Sequence, residues 1–299
     1  TVSGNSAAGN AGGIRVTGGG SQLTLTNSTV SGNSTAGDGG GLRANSPSNV
    51  MIFNSTISGN YAAGDGGGMR VFSSSTQLTL TNSTVSGNST AGVGQYSAGG
   101  VGGGVFVDFG TVTLTNSTVA GNSAAGDGGG VFVNEGTLTL TNSLIANSAG
   151  GGDCAFGDVP VAGSYNLIGD SGDDACGLTD GTDGNIIGTA PDLGPLADNG
   201  CVTLAGNPNG PAASYGCVQT HALLAVSPGI DTADTAAAPD TDQRGVSRPQ
   251  GPAADIGAYE ATVATPIPTL SVWGLLASAG LLGLFGARRQ RRRTGSGPH

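Results

Sequence analysis

The sequence predicts an all-β solenoid of stacked coils, and three observations carry that prediction. First, the stretch LTLTNSTVSGNSTAGDGGG, Leu23 to Gly41, returns with small edits until about residue 150. Aligned on the Asn of its NS pair, the copies place Asn27, Asn54, Asn82, Asn116 and Asn142 in register, at spacings of 27, 28, 34 and 26 residues. A period in that range belongs to stacked supersecondary units that bury a shared core. Second, each copy holds period-2 alternation such as Leu23-Thr24-Leu25-Thr26, with leucines on one face of a strand and threonines on the other. Third, the glycines recur at fixed offsets after the strand-like runs, where turns need them.

Glycine and proline together make 71 of 299 residues, Gly 58 and Pro 13, a content that reads as disorder when it is aperiodic. Here it is periodic, so the ordered reading is preferred. Each unit contains an apolar run, an Asn-Ser corner, a short β-branched run such as Thr29-Val30, then SGN, a small-residue loop, GDGGG, and a third run such as Val131-Phe132-Val133. Three short strands and three turns per ~27 residues describe one coil. The corner asparagines suit a left-handed backbone and are expected to stack as an amide ladder. Glycosylation sequons at these corners, Asn27-Ser28-Thr29 among them, are read as structure, since laddered side chains are closed to a transferase.

The regular coils are expected over residues 1–152, and the chain is read as a fragment because Thr1 falls inside a repeat. The fourth coil carries extra residues around Val93-Gly94-Gln95-Tyr96-Ser97, expected to bulge from one turn. Residues 153–260 loosen the repeat, and irregular coils are expected to continue through Tyr165 to Ile168, Asn185 to Ile187, Ala222 to Leu224 and Gly229-Ile230. Cys154, Cys176, Cys201 and Cys217 occur only here. Four cysteines allow three pairings. Cys154–Cys176 and Cys201–Cys217, each closing a local loop, are favoured and imply an oxidising compartment. A Zn site is the competitor, with His221 the one nearby histidine and no CxxC spacing.

Residues 261–269 read as a linker. Residues 270–287, LSVWGLLASAGLLGLFGA, are uncharged and apolar and are expected to span a membrane. A buried core helix is the alternative. The basic tail 288–299 follows, with Arg288, Arg289, Arg291, Arg292 and Arg293, which the positive-inside rule keeps cytoplasmic. Up to Glu260 the chain sets five basic against twenty acidic residues, a balance of −15 within a total of −10. Such a surface excludes nucleic acid as a partner.

Ile267-Pro268-Thr269-Leu270-Ser271, then Trp273-Gly274, an apolar stretch and the arginines, resemble the IPTL-CTERM sorting signal of Gram-negative bacteria. Ser227-Pro228-Gly229-Ile230-Asp231, Asp242-Gln243-Arg244-Gly245 and Asp255-Ile256-Gly257-Ala258-Tyr259-Glu260 resemble the closing segment of choice-of-anchor Q proteins, with Asn166 to Gly169 and Gly194 to Gly200 also similar. The GGG and NST elements are more weakly similar to repeats of polymorphic outer membrane proteins, which act in adhesion. These resemblances imply a right-handed, single-stranded parallel β-helix, export, insertion of the C-terminal helix in the inner membrane during transit, and processing by an exosortase-like enzyme. They imply a cell-surface or extracellular destination. The expected partners are the membrane, the sorting enzyme and a glycan or cell-surface ligand. No catalytic residue and no cofactor comes with them.

Lyase or hydrolase action on polysaccharides is the enzymatic alternative. It needs a base beside a Ca²⁺-binding carboxylate cluster, or two carboxylates ~5–9.5 Å apart. Arg15, Arg43 and Arg70 recur in successive coils, but Asp38 and Asp65 look isolated on turns, and Asp173-Asp174 or Asp240 with Asp242 read as solvated pairs. The expectation is therefore no enzyme. Ca²⁺ has one candidate cluster, Asp173, Asp174, Asp180 and Asp183, besides the GDGGG aspartates Asp38, Asp65 and Asp127. Finally, the outward threonines Thr24/Thr26, Thr79/Thr81, Thr113/Thr115 and Thr139/Thr141 form a TxT array of the kind that orders water or ice. Met51 and Phe53 interrupt it.

Overall fold

A computed structural model describes residues 1–45, 47–92, 99–157, 161–200 and 218–262. All of these lie in one compact unit, Thr1–Thr262. The chain winds as a parallel β-solenoid whose coils stack strand on strand, so each face of the coil becomes a parallel sheet.

The leucine face is a six-stranded sheet of Ser21–Thr26, Ser48–Phe53, Gln77–Thr81, Thr111–Thr115, Thr137–Thr141 and Val161–Ser164. Its register pairs Leu80 with Ile52 on one side and Leu114 on the other, then Leu114 with Leu140. A one-residue slip would turn every leucine outward, so the buried row fixes the register. The valine face carries eight strands, among them Thr29–Ser31, Thr56–Ser58, Thr84–Ser86, Thr118–Ala120, Leu144–Ala146, Leu167–Ile168 and Ile186–Ile187. Its middle residues, Val30, Ile57, Val85, Val119, Ile145 and Ile168, point into the core and are at most 1% exposed. The arginine face stacks Ile14–Val16, Leu42–Asn45, Met69–Phe72, Val105–Val107, Val131–Val133 and Cys154–Phe156. A short fourth sheet joins Ser6–Ala7, Ser34–Thr35, Tyr61–Ala62 and Ser89–Thr90.

The GDGGG turn needs its glycines for two separate reasons. Gly39 takes φ +72°, which disfavours any residue with a Cβ. At Gly40 the constraint is space, because a Cβ there would lie 2.3 Å from the Gly67 carbonyl oxygen of the next coil. The glycines let adjacent coils close to backbone contact.

The amide ladder exists, but not at the expected position. Asn27, Asn54, Asn82, Asn116 and Asn142 do adopt left-handed φ of 42–50°. Of these five, only Asn142 and Asn116 bond amide to amide, at 3.2 Å. The rungs at this corner come instead from the next residue: Ser28 N–H donates to Ser55 Oγ at 3.0 Å, and Ser55, Ser83 and Ser117 continue to Ser143. The continuous ladder is built by the asparagines of SGN and, in one coil, AGN: Asn33, Asn60, Asn88 and Asn122, each 0% exposed. Nδ2 of Asn33, Asn60 and Asn88 donates to the Oδ1 of the next ladder asparagine at 2.9–3.0 Å, and the same Oδ1 also accepts the backbone N–H of the donor residue. Inward-facing asparagines at strand ends satisfy four groups at once. Outward-facing ones have solvent or other partners.

The coils end sooner than expected. Leu167–Ile168 and Ile186–Ile187 continue the valine face. Beyond them Leu193–Ala197 pairs antiparallel with Thr220–Leu223, so Ala222 to Leu224 belongs to a hairpin and Gly229-Ile230 to a turn. Residues 218–261 then run back over the outside of the valine face as a strap. Among the described residues no helix is long and apolar enough to cross a membrane; the expected span 270–287 lies outside them.

Candidate functional site

Three surfaces compete for a functional role: the strapped valine face, the leucine face and the charged row on the arginine face.

On the valine face, outward hydroxyls meet the strap. Thr56 Oγ1 donates to the Gln219 carbonyl at 2.7 Å, Thr84 Oγ1 to Gln243 Oε1 at 2.6 Å, and Thr118 Oγ1 accepts the Ala258 N–H at 2.9 Å. The corner asparagines find their use here: Nδ2 of Asn82, Asn116 and Asn142 donates to the carbonyls of Thr241, Asp255 and Asp234 at 2.7, 3.2 and 2.9 Å. An apolar seam backs these bonds, with Leu144, Ala146 and Leu167 of the coils against Leu223, Ala233, Ala254 and Ile256 of the strap. The sheet face is thus closed by the chain's own C-terminal segment.

Ser86 and His221 form the only serine–histidine contact among the described residues, Oγ to Nε2 at 2.8 Å. Nδ1 faces the Gly194 carbonyl at 2.8 Å, so Nδ1 carries the proton and Nε2 accepts from the hydroxyl. Burial lowers the histidine pKa, which keeps that neutral tautomer. Ser86 is only 5% exposed beneath the strap. The pair ties strap to coil rather than offering a nucleophile to solvent.

The strap is locked by buried charge from the DQRG and DIGAYE segments. Asp242 accepts Arg244 Nε at 2.8 Å and the Glu260 N–H at 3.0 Å, while the Arg244 guanidinium lies 3.6 Å from the Tyr259 ring centroid. Arg248 bridges Glu260 at 2.8 Å and the carbonyls of Asp255 and Gly257 at 2.9 and 2.8 Å. Burial pushes the Asp255 carboxyl up to about 6, against the backbone N–H donors of Ala261 and Asp231. Asp242 is therefore a fully buried structural carboxylate, and the reading of Asp240 with Asp242 as a solvated pair is corrected.

No segment among the described residues bonds to the outer side of the leucine face. Its outward rows align Thr24, Met51, Thr79, Thr113 and Thr139, and Thr26, Phe53, Thr81, Thr115 and Thr141. A shallow depression of about 210 Å³ at its edge is lined by polar residues including Gln22, Asn49 and Gln77. The arginine face corrects another expectation: Asp38 is not isolated. It lies against Arg70, whose guanidinium also reaches Asp108 at 3.1 Å, and 3.7 Å from Arg43.

Cys154 and Cys176 are disulfide-bonded across 22 residues, as expected. Cys154 takes the inward register position of Val131 and is 2% exposed, so the bridge closes the end of the core. Cys201 and Cys217 lie outside the described residues, as do Tyr96, the sorting-motif positions 267–274 and the arginines after 287. The four aspartates do not converge. Asp173 and Asp174 sit on a 3-10 turn, Gly172–Asp174, while Asp180 is occupied by the Ile187 N–H and Asp183 stands on the next turn. Among the described residues no group of three or more His, Cys, Asp or Glu is placed to hold a metal ion. Burial, then the charges of Asp170, Asp173 and Asp127, raises the Asp174 pKa, the response of crowded carboxylates.

The comparisons with known proteins agree with both ends of this picture. Residues 1–106 match the family model for the right handed beta helix region, and residues 265–292 match the IPTL-CTERM motif. No curated protein matches, and no solved structure matches. The chain carries a right-handed parallel β-helix of about six turns and, after it, a C-terminal sorting motif of the type found on exported surface proteins.

Proposed function

We propose that this protein is exported, held by its C-terminal signal and displayed at the cell surface, where the β-helix serves a structural or adhesive role. The observation that carries the reading is the pairing of a β-helix region at 1–106 with a sorting motif at 265–292 in one chain. Residues 270–287 cross the inner membrane in transit, the arginines from Arg288 stay on the cytoplasmic side, and an exosortase-like enzyme processes the chain near Ile267 to Ser271. The strap built from the SPGID, DQRG and DIGAYE segments supports a choice-of-anchor Q domain. It closes one sheet and ends at the linker.

The role is not catalytic. In support, of the carboxylates suggested for hydrolysis, Asp242 is buried in an ion pair with Arg244, while Asp173 and Asp174 stand side by side on one exposed 3-10 turn. Cell fractionation tests the localisation. The protein, expressed from its full reading frame in its source cell, is expected in the surface or extracellular fraction and open to added protease. Recovery with the cytosol overturns the proposal.

A further inference from the structure

Six Asn-X-Ser/Thr sequons lie in the coils, at Asn27, Asn33, Asn54, Asn82, Asn88 and Asn116. A sequon accepts an N-linked glycan from the surface of an exported protein, through its amide and with the hydroxyl two residues on. Stacking would close all six. The stacked amides, however, are those of SGN, so the corner sequons open or close by other means.

Five of the six are closed in the folded chain. Asn33 and Asn88 are ladder rungs with 0% exposure. Asn82 and Asn116 donate from Nδ2 to the strap carbonyls of Thr241 and Asp255, and their hydroxyls, on Thr84 and Thr118, bond to Gln243 Oε1 and the Ala258 N–H. Asn54 is half-buried and its amide makes no hydrogen bond to the described residues. Its hydroxyl partner Thr56 is 0% exposed, donating to the Gln219 carbonyl at 2.7 Å and accepting from Gln243 Nε2 at 3.0 Å.

Asn27 differs in both parts of the sequon. It is exposed at a left-handed corner, φ +47°, between the strands Ser21–Thr26 and Thr29–Ser31. Neither its amide nor the hydroxyl of the half-buried Thr29 makes a hydrogen bond to the described residues. Thr29 is the register partner of Thr56, and the strap's bonds reach Thr56 but not Thr29. Ser28 N–H is held by Ser55 Oγ at 3.0 Å, which disfavours the attack of that nitrogen on the amide and keeps Asn27 an asparagine.

We infer that Asn27 is the acceptor site for an N-linked oligosaccharide, delivered by a membrane transferase from a lipid-linked sugar pyrophosphate. The bond from sugar C1 to the phosphate oxygen breaks and a bond from C1 to Asn27 Nδ2 forms. One proton leaves Nδ2, and the lipid pyrophosphate departs. A glycan at Asn82 or Asn116 would displace the strap, and one at Asn33 or Asn88 would break the ladder. At Asn27 it is clear of both. The inference rests on the proposed export, which carries the chain past membrane-bound sugar donors.

The test is transfer to the purified, folded full chain in detergent, by an oligosaccharyltransferase that asks only for Asn-X-Ser/Thr, with a lipid-linked oligosaccharide as donor. Chain recovered from outside the cytosol of its source cell is analysed beside it by mass spectrometry. Cleavage after Arg15, Arg43 and Arg70 gives peptide 16–43, with Asn27 and Asn33, and peptide 44–70, with Asn54 as its one sequon. Fragmentation is expected to place a glycan on Asn27 in both samples and none on the other five. Thr29→Val, which removes the sequon hydroxyl at a position free of strap bonds, is expected to abolish the glycan with the unfolding midpoint unchanged, and Thr29→Ser to retain it. The inference is overturned if Asn27 is bare in either sample, if any of the other five is occupied to a comparable extent, or if Thr29→Val leaves occupancy intact. Chain found only in the cytosol counts against export alone, since the transfer reaction uses purified protein.

Discussion

Replacing Asn88 by Ala removes one rung from the buried ladder, and the structure specifies what is left behind. Asn88 Oδ1 accepts from both the backbone N–H and Nδ2 of Asn60, and its Nδ2 donates to Asn122 Oδ1 and the Ile57 carbonyl. Truncation orphans two donors on Asn60, in a place with 0% exposure where water does not replace them. At about 1–3 kcal/mol for each unsatisfied buried group, the loss comes to about 2–6 kcal/mol. Asn54→Ala is the matched control, since Asn54 sits at the corner with φ +48° and has no amide partner in the ladder. Its cost is the left-handed backbone alone, about 1–2 kcal/mol. Urea unfolding followed by circular dichroism measures both. If Asn88→Ala costs no more than Asn54→Ala, the ladder has been assigned to the wrong asparagines.

Reducing the Cys154–Cys176 bridge frees a 22-residue separation, for which loop-closure entropy gives about 3 kcal/mol of destabilisation; thermal melts with and without reductant check it against a Cys154→Ala variant. Glu260→Gln leaves Arg248 buried without its carboxylate, so a cost of about 3–5 kcal/mol is expected, with limited proteolysis cutting the strap before the coils. Asp255, raised to about 6, binds its proton more tightly folded than unfolded. Its contribution is fully present below the ordinary carboxylate pKa of about 4 and is lost as pH rises through about 6. His221, lowered by burial, acts in the opposite sense, losing stability as pH falls below about 6.5. The difference in unfolding free energy between wild type and Asp255→Asn, followed from pH 4 to 7, isolates the first effect; a difference that does not vary with pH contradicts it.

The repeat made the coils legible because hydrophobic alternation and glycine spacing act locally, and Leu78, Leu80, Leu114 and Leu140 all point where their period requires. The amide ladder was legible in kind but misplaced. NS and SGN are both regular signals, and only the direction of the strand on either side decides which asparagine faces inward. The strap was not legible at all. It depends on contacts such as Gln243 with Thr56, 187 residues apart, and on a fold-back that no local pattern announces. The same holds for the charge row. Asp38 looked isolated because its partner Arg70 comes from the next coil, 32 residues on. The disulfide was found because its loop is short.

The most direct test of the central claim is mass spectrometry of the mature protein recovered from its source cell. An exported chain processed at its sorting signal is expected outside the cytosol, with strap peptides up to Glu260 present and those carrying Arg288 to Arg293 absent. A cytosolic chain whose arginine-bearing C-terminal peptide is intact would contradict the account.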